Sequence, residues 1–204
     1  MIPGMPPERS PRPYAAAIAG ALLLLVFAQS PAAVHAGQSG TATDDKVLTS
    51  FRTALDTYVA LRTRIRNEVP PLRVTPDAKE IAERSDALAS AVARARRTAA
   101  QGQFFDAAAS AAIRRSLAAA LTAGDEPGIR ALMEEDMTSF SGVRVHARYP
   151  VGFVMASTPP TLLHALPTLP PQLEYRFIGR TLILRDIEAA MILDYLTNAL
   201  PATR

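Results

Sequence analysis

Cysteine is absent from this sequence. That excludes disulfides, thiolate metal sites, a cysteine nucleophile and a lipidated N-terminal cysteine. Histidine is scarce: His146 and His164 are the only two beyond His35, and neither stands in an HxxxH or HExxH spacing. A metal site would therefore need carboxylates gathered by the fold. Lysine occurs only at Lys46 and Lys79, so the basic character comes from arginine and amounts to a formal net charge of +3. A balance that close to neutral does not fit a nucleic-acid partner. Neither GxSxG nor SxxK occurs, and there is no phosphate-cradling glycine loop and no CxxCH, so no catalytic residue, metal or cofactor is assigned. There is no internal repeat.

Apolar runs long enough to span a bilayer are missing as well. The longest, Ala15 to Ala28, follows Arg9 and Arg12 and precedes small residues ending Val34-His35-Ala36. A basic n-region, an apolar h-region and a small-x-small site are the pattern of a secretory signal peptide. Cleavage is expected after Ala36, giving a periplasmic or extracellular protein with no transmembrane segment. It would leave 168 of the 204 residues, enough for one domain that buries roughly two-thirds of its unfolded surface.

The region 37–142 is expected to be a helical bundle. Gly37 to Thr43 is small and polar, a leader, and Thr43 or Asp44 can cap a first helix running to Val69. Leu48, Phe51, Leu55, Tyr58, Ile65 and Val69 recur at steps of three and four, with Arg62 the one polar interruption. Pro70-Pro71 stops that helix. Thr75-Pro76-Asp77 opens a second, with Thr75 as cap, Ile81, Leu88, Val92, Ala95 and Ala99 on its face, and Gly102 at its end. Asp106 caps a third that carries Ile113, Leu117 and Leu121 and ends at Gly124. A shorter fourth follows Pro127, with Ile129, Leu132, Met133, Met137 and Phe140 apolar.

The region 143–204 is expected to be β-rich. Val143, Val145, Ala147 and Tyr149 alternate with Arg144, His146 and Arg148, predicting a strand with one basic face, turned at Pro150-Val151-Gly152. Thr158-Pro159-Pro160 can cap one or two helical turns to Leu166, and Pro167, Pro170 and Pro171 stiffen the connector that follows. Leu173, Tyr175 and Phe177 alternate with Glu174 and Arg176, and Gly179-Arg180 suits a two-residue type II′ turn into Thr181–Leu184. Ile187 to Leu196 reads as helix by composition, or as a turn at 186–189 and a third strand from Ala190. The strand is preferred, because a lone hairpin is marginal.

The run LPTLPPQLEYRFIGRTLILRD, with Asp194 in the apolar run after it, resembles the C-terminal part of a family of uncharacterised secreted proteins of proteobacteria and acidobacteria. Arg148-Tyr149-Pro150 and Thr158 to Leu163 fit it less specifically. Where that pattern often has a small polar residue before the last apolar run, this chain has Ala190. The resemblance implies an exported compartment and a shared C-terminal part, and no catalytic residue.

Two constellations remain as candidates. Asp186 and Asp194 flank the last turn, where paired carboxylates can do acid–base work or simply fasten a turn. Arg144, His146 and Arg148 would form a basic strip seeking acidic groups, either Glu174 and Glu188 within the chain or an anionic envelope component or another protein outside it. Arg94, Arg96 and Arg97 end the second helix as dipole-favoured cations. The expected architecture is α+β, an antiparallel helical bundle followed by a small antiparallel sheet packed on it. The expected function is binding or envelope assembly without catalysis. Its rival is a carboxylate-dependent hydrolase with a site near Asp186 and Asp194.

Overall fold

The third strand settles what the last apolar run does. In the computed structural model, β1 (Leu173–Ile178), β2 (Thr181–Asp186) and β3 (Met191–Leu196) form one antiparallel sheet in the order β1-β2-β3. The structure describes residues 38–69, 75–124, 126–134, 142–149 and 158–202. The signal-peptide segment, the Pro70-Pro71 stop, the Pro150–Gly152 turn, and Met137 and Phe140 lie outside the described residues, as do the side chains of Leu132 and Met133.

Gly179 alone of the two central hairpin residues takes positive φ, +54°, as a type II′ turn requires. The closing pair is Ile178 with Thr181. Between β2 and β3 the register shifts after Leu184, which pairs with Asp194, while Arg185 pairs with Ile192. Leu193 is thus the extra residue of a bulge, and a bulge re-aims side chains. Leu193 and Asp194, neighbours in sequence, are both buried, and Leu193 joins the core against the helices. The turn into β3 holds Ala190 at φ +44°, a left-handed conformation that favours glycine or a small polar residue.

Four helices precede the sheet: α1 (Gln38–Glu68), α2 (Ala78–Ala95), α3 (Ala107–Ala123) and α4 (Glu126–Glu134). A short α5 (Pro160–His164) leads into β1. α1 begins at Gln38 and takes in the polar stretch expected as a leader, since extending a formed helix fixes one residue per added bond. Phe51, Leu55, Tyr58 and Ile65 of α1 are buried, as the spacing predicts. Asp77, not Thr75, caps α2, accepting from the N–H groups of Lys79 and Glu80, while Thr75 Oγ1 accepts from Asp77. A carboxylate at the positive helix end competes well with a hydroxyl. α2 ends at Ala95 rather than Gly102, and Ile81, expected on the buried face, is exposed. Asp106 and Gly124 cap α3 where expected.

Leu173, Tyr175 and Phe177 of β1 and Leu182 and Leu184 of β2 join Leu88, Val92, Ile113, Leu117 and Leu121 in one core. Helices are therefore followed by a three-stranded antiparallel sheet packed against them. The opposite sheet face has a smaller cluster of Ile183 and Ile192 beneath Ala147 and Tyr149. All described residues belong to one compact unit within residues 35–204.

The segment 143–149 corrects one expectation. It is an irregular strap along the outer edge of β3, not a strand, with a single bridge between Arg148 and Met191. Val145 and His146 form a turn, His146 sits at φ +65°, and Ala147 N–H donates back to Arg144 O. That reversal breaks the two-residue alternation on which a basic face depends.

Candidate functional site

Asp186 and Asp194 are both fully buried. Asp186 Oδ2 accepts from Tyr58 Oη at 2.7 Å and Arg62 Nε at 2.6 Å, and its Oδ1 accepts from Ala189 N–H at 2.8 Å. The interrupting Arg62 of α1 also reaches Glu188 at 2.8 Å, and Arg66 pairs with the same carboxylate at 3.0 Å. Burial alone would lower the pKa of Arg62, but the hydrogen bond and charge of Asp186, then of Glu188, hold it above its ordinary value. Burial first, then the charge of Asp186, pushes the Tyr58 phenol well up, so it remains a donor.

Asp194 is held differently. Its Oδ1 accepts from the N–H groups of Gly102 (2.9 Å) and Tyr195 (2.8 Å), and its Oδ2 from those of Phe104 (2.7 Å) and Phe105 (2.9 Å). Gly102, at φ +89°, thus shapes the loop that wraps this carboxylate. The two aspartates do not form a shared site: each is saturated by donors of its own and ties the sheet to a separate part of the helical layer. With no exposed surface, neither is placed to meet a substrate.

Arg144, His146 and Arg148 do not share a face either. Arg144 is exposed. Arg148 pairs with Asp86 at 2.7 Å and donates to Ser85 Oγ and to Ala189 O. His146 is half-buried and its Nε2 has no partner. Burial, then the charge of Arg96, lowers its pKa. Arg96, expected as a dipole-favoured cation at the end of α2, stands at its C-cap and is also sheltered by two rings. It is 7% exposed, lies 5.3 Å from the Tyr58 ring centroid and 5.1 Å from that of Phe104, and donates to Gln103 at 2.6 Å. Among the described residues no cluster of His, Asp and Glu is arranged to hold a metal ion, and no helix is long and apolar enough to cross a membrane.

A concave site lies elsewhere. A cleft of about 540 Å³ opens between α5, the proline-rich connector after it, and β1. That is the size range of small-molecule pockets. Leu163, Leu166, Pro167, Leu169 and Leu173 make its apolar wall. Leu163 is 41% exposed, one of three large apolar side chains so exposed among the described residues. Thr158, His164, Glu174, Tyr175 and Arg176 supply the polar lining.

Six buried side-chain nitrogen or oxygen atoms among the described residues have no hydrogen-bond partner. Three of them, Thr158 Oγ1, Tyr175 Oη and Arg176 Nε, belong to residues of this lining, although the atoms themselves are closed off from solvent. Thr158 is 8% and Tyr175 7% exposed. Tyr175 faces the helices with Leu173 and Phe177, whereas Arg176, paired with Ile183, lies on the other face of the sheet, so these atoms do not meet at one point. Arg176 Nη2 is held at 2.9 Å by Glu174 Oε2, whose other oxygen is engaged by Arg185. Two guanidinium groups thus share one carboxylate. Burial pushes the Tyr175 phenol up, so it stays protonated.

The chain matches no family model, no curated protein and no solved structure in such comparisons.

Proposed function

We propose that this is an exported, non-enzymatic binding protein whose ligand sits in the cleft between α5 and β1. The observation that carries the reading is the cleft itself, about 540 Å³, with an apolar wall that includes the 41% exposed Leu163 and a polar side that includes the ion-paired Glu174 and Arg176. The hydrolase reading draws no such support, since both oxygens of Asp186 and both of Asp194 are occupied by internal donors. An anion held by Arg144, His146 and Arg148 together is also unsupported, because the three are dispersed.

A thermal-shift screen of small molecules tests the cleft, run on the wild type and on Thr168→Trp. Thr168 is an exposed lining residue, so a tryptophan there fills the cleft without entering the core. Compounds that raise the melting temperature of the wild type and not of Thr168→Trp support the reading. Equal responses of the two proteins would overturn it. Export rests on the Arg9 to Ala36 pattern and the C-terminal resemblance. Mass spectrometry of protein recovered from the source cells is expected to find Gly37 at the N-terminus; an intact Met1 would refute cleavage.

A further inference from the structure

β1 has an outer edge that no strand of the sheet covers, since β2 is its one neighbour there. Ile187 N–H donates to Gln172 O, so the even-numbered positions of this strand turn their backbone groups towards β2, and those of Leu173, Tyr175 and Phe177 point the other way. Leu173 N–H is taken by Pro170 O at 3.0 Å. Among the described residues no hydrogen bond to the N–H or C=O of Tyr175 or Phe177 comes from outside the sheet. These two residues keep 7% and 8% exposure, where Leu182, Ile183 and Leu184 of the central strand keep none. The cleft runs along this edge, between β1 and α5 with its connector, and leaves room for an incoming strand. An open edge is a template for another strand, and the residues of β1 say which. Leu173-Glu174-Tyr175-Arg176-Phe177 is complementary to itself when run antiparallel about Tyr175. Tyr175 then faces Tyr175, Leu173 faces Phe177, and Glu174 faces Arg176. We propose that β1 pairs in this register with β1 of a second copy of the chain, joining the two sheets into one across a two-fold axis. Backbone and side chains agree on it. Residues 173, 175 and 177 meet as hydrogen-bonded pairs. Glu174 and Arg176 fall at non-hydrogen-bonded pairs, where the Cα atoms are about 4.5 Å apart and side chains lie closest. Their side chains are 23% and 29% exposed, so each can exchange its partner within the strand for one across the axis. The neighbouring registers centre on Glu174 or on Arg176 and set like charges opposite each other, which destabilises a strand pair. The proposal goes beyond the ligand reading and does not rest on it, since it uses the strand's backbone and charges rather than the apolar wall.

Sedimentation velocity of the full mature chain, without any added compound and over a series from micromolar to millimolar, is the test. A weak monomer–dimer equilibrium is expected, since a contact of one strand and its flanks is at the small end of interface sizes. Arg176→Glu sets a glutamate opposite Glu174 of the second copy, and Glu174→Arg sets an arginine opposite its Arg176. Each variant alone is expected to stay monomeric throughout. Mixed in equal amounts, the two carry opposite charges at both facing positions and are expected to form a one-to-one dimer. That recovery separates lost pairing from lost folding, because misfolded variants have no pairing to recover. A wild type that is monomeric at every concentration would overturn the proposal, as would a dimer that both variants form unchanged. So would a mixture that stays monomeric although both variants melt as the wild type does. The register is read by crosslinking, which also serves if the charge variants fail to fold. The chain has no cysteine, and facing residues of a strand pair lie within disulfide reach. Glu174→Cys mixed with Arg176→Cys is expected to crosslink under mild oxidation more strongly than either variant alone. No crosslink in the mixture, or equal crosslinking of each variant with itself, would overturn the proposal. The ligand reading is tested by the thermal-shift screen, so either can fail without the other.

Discussion

The sheet treats its polar groups in opposite ways at its two ends. Where β2 and β3 meet the helices, Asp186 and Asp194 are fully buried and every carboxylate oxygen is occupied. Along β1, Tyr175 and Thr158 are almost as buried, yet their hydroxyls meet nothing in the chain. Equal burial with unequal satisfaction separates the polar groups that fasten the fold from those that weaken it. A buried polar group with all its bonds made inside the chain is accounted for by the fold. One with none keeps its desolvation cost uncompensated.

The largest effect expected from this contrast is at Asp194. Asp194→Ala would strand the N–H groups of Gly102, Phe104 and Phe105, at about 1–3 kcal/mol for each stranded donor, for a total on the order of 5 kcal/mol. Urea unfolding measures it, and a loss below about 1 kcal/mol would break the comparison. Phe177→Ala is an apolar benchmark on the bundle-facing side of β1; at 8% exposure it should cost roughly 3–5 kcal/mol. A melting temperature within a degree or two of wild type would show that this face is not core. Arg62→Met leaves Asp186 without its cation and should cost about 3 kcal/mol. The double mutant Arg62→Met/Asp186→Leu should recover part of that loss; strict additivity would show that the pair is not coupled.

At the other end the sign reverses. Tyr175→Phe removes a buried hydroxyl with no partner, and is expected to leave stability unchanged or raise it by up to about 1 kcal/mol, roughly 2–4 °C in Tm. The smallest effect is a pH dependence. Burial, then Arg96, holds the His146 pKa below its ordinary value. The unfolded chain therefore takes up the proton first as pH falls. Stability is complete above the ordinary histidine value of about 6.5 and declines as pH drops through it towards the lower folded value. His146→Gln should flatten that decline between about pH 7 and 5, as read from urea midpoints. Identical slopes would remove His146 from the balance.

The hairpin was legible in the sequence because its information is local. Two-residue alternation and Gly179-Arg180 suffice to fix β1, β2 and the turn between them. The α3 caps at Asp106 and Gly124 are local as well. The strap at 143–149 shows where this fails: its alternation is as regular as that of β1, but the left-handed residue His146 interrupts it, and nothing in the residue types announces that. The helix-end place of Arg96 was legible, but not its shelter, because the two rings that cover it are distant in sequence or outside its helix, Tyr58 on another helix and Phe104 in the next loop. Asp186 and Asp194 could be picked out as unusual, but not sorted into saturated or free, since their donors come from residues 58, 62 and 102–105. The cleft left no motif at all. It is made by a proline-rich connector folding beside an edge strand.

The bulge at Leu193–Asp194 carries a consequence for how the chain comes together in time. Asp194 closes a loop of 90 residues to Phe104, and Asp186 one of 128 residues to Tyr58. Contacts of such sequence separation are slow to form, because the chain loses loop entropy before any contact rewards it. Synthesis delivers α1, α2 and α3 well before β3. Until the last strand arrives, the loop after α2 has three amide groups without their acceptor, and Leu88, Val92 and Ile113 lack part of their cover. The helices can form early, but their packing waits on the latest-made element. The nascent chain is most exposed to aggregation during that wait, and its folding rate should track substitutions in β3 more closely than equally destabilising ones in α2, which stopped-flow refolding of paired variants would resolve.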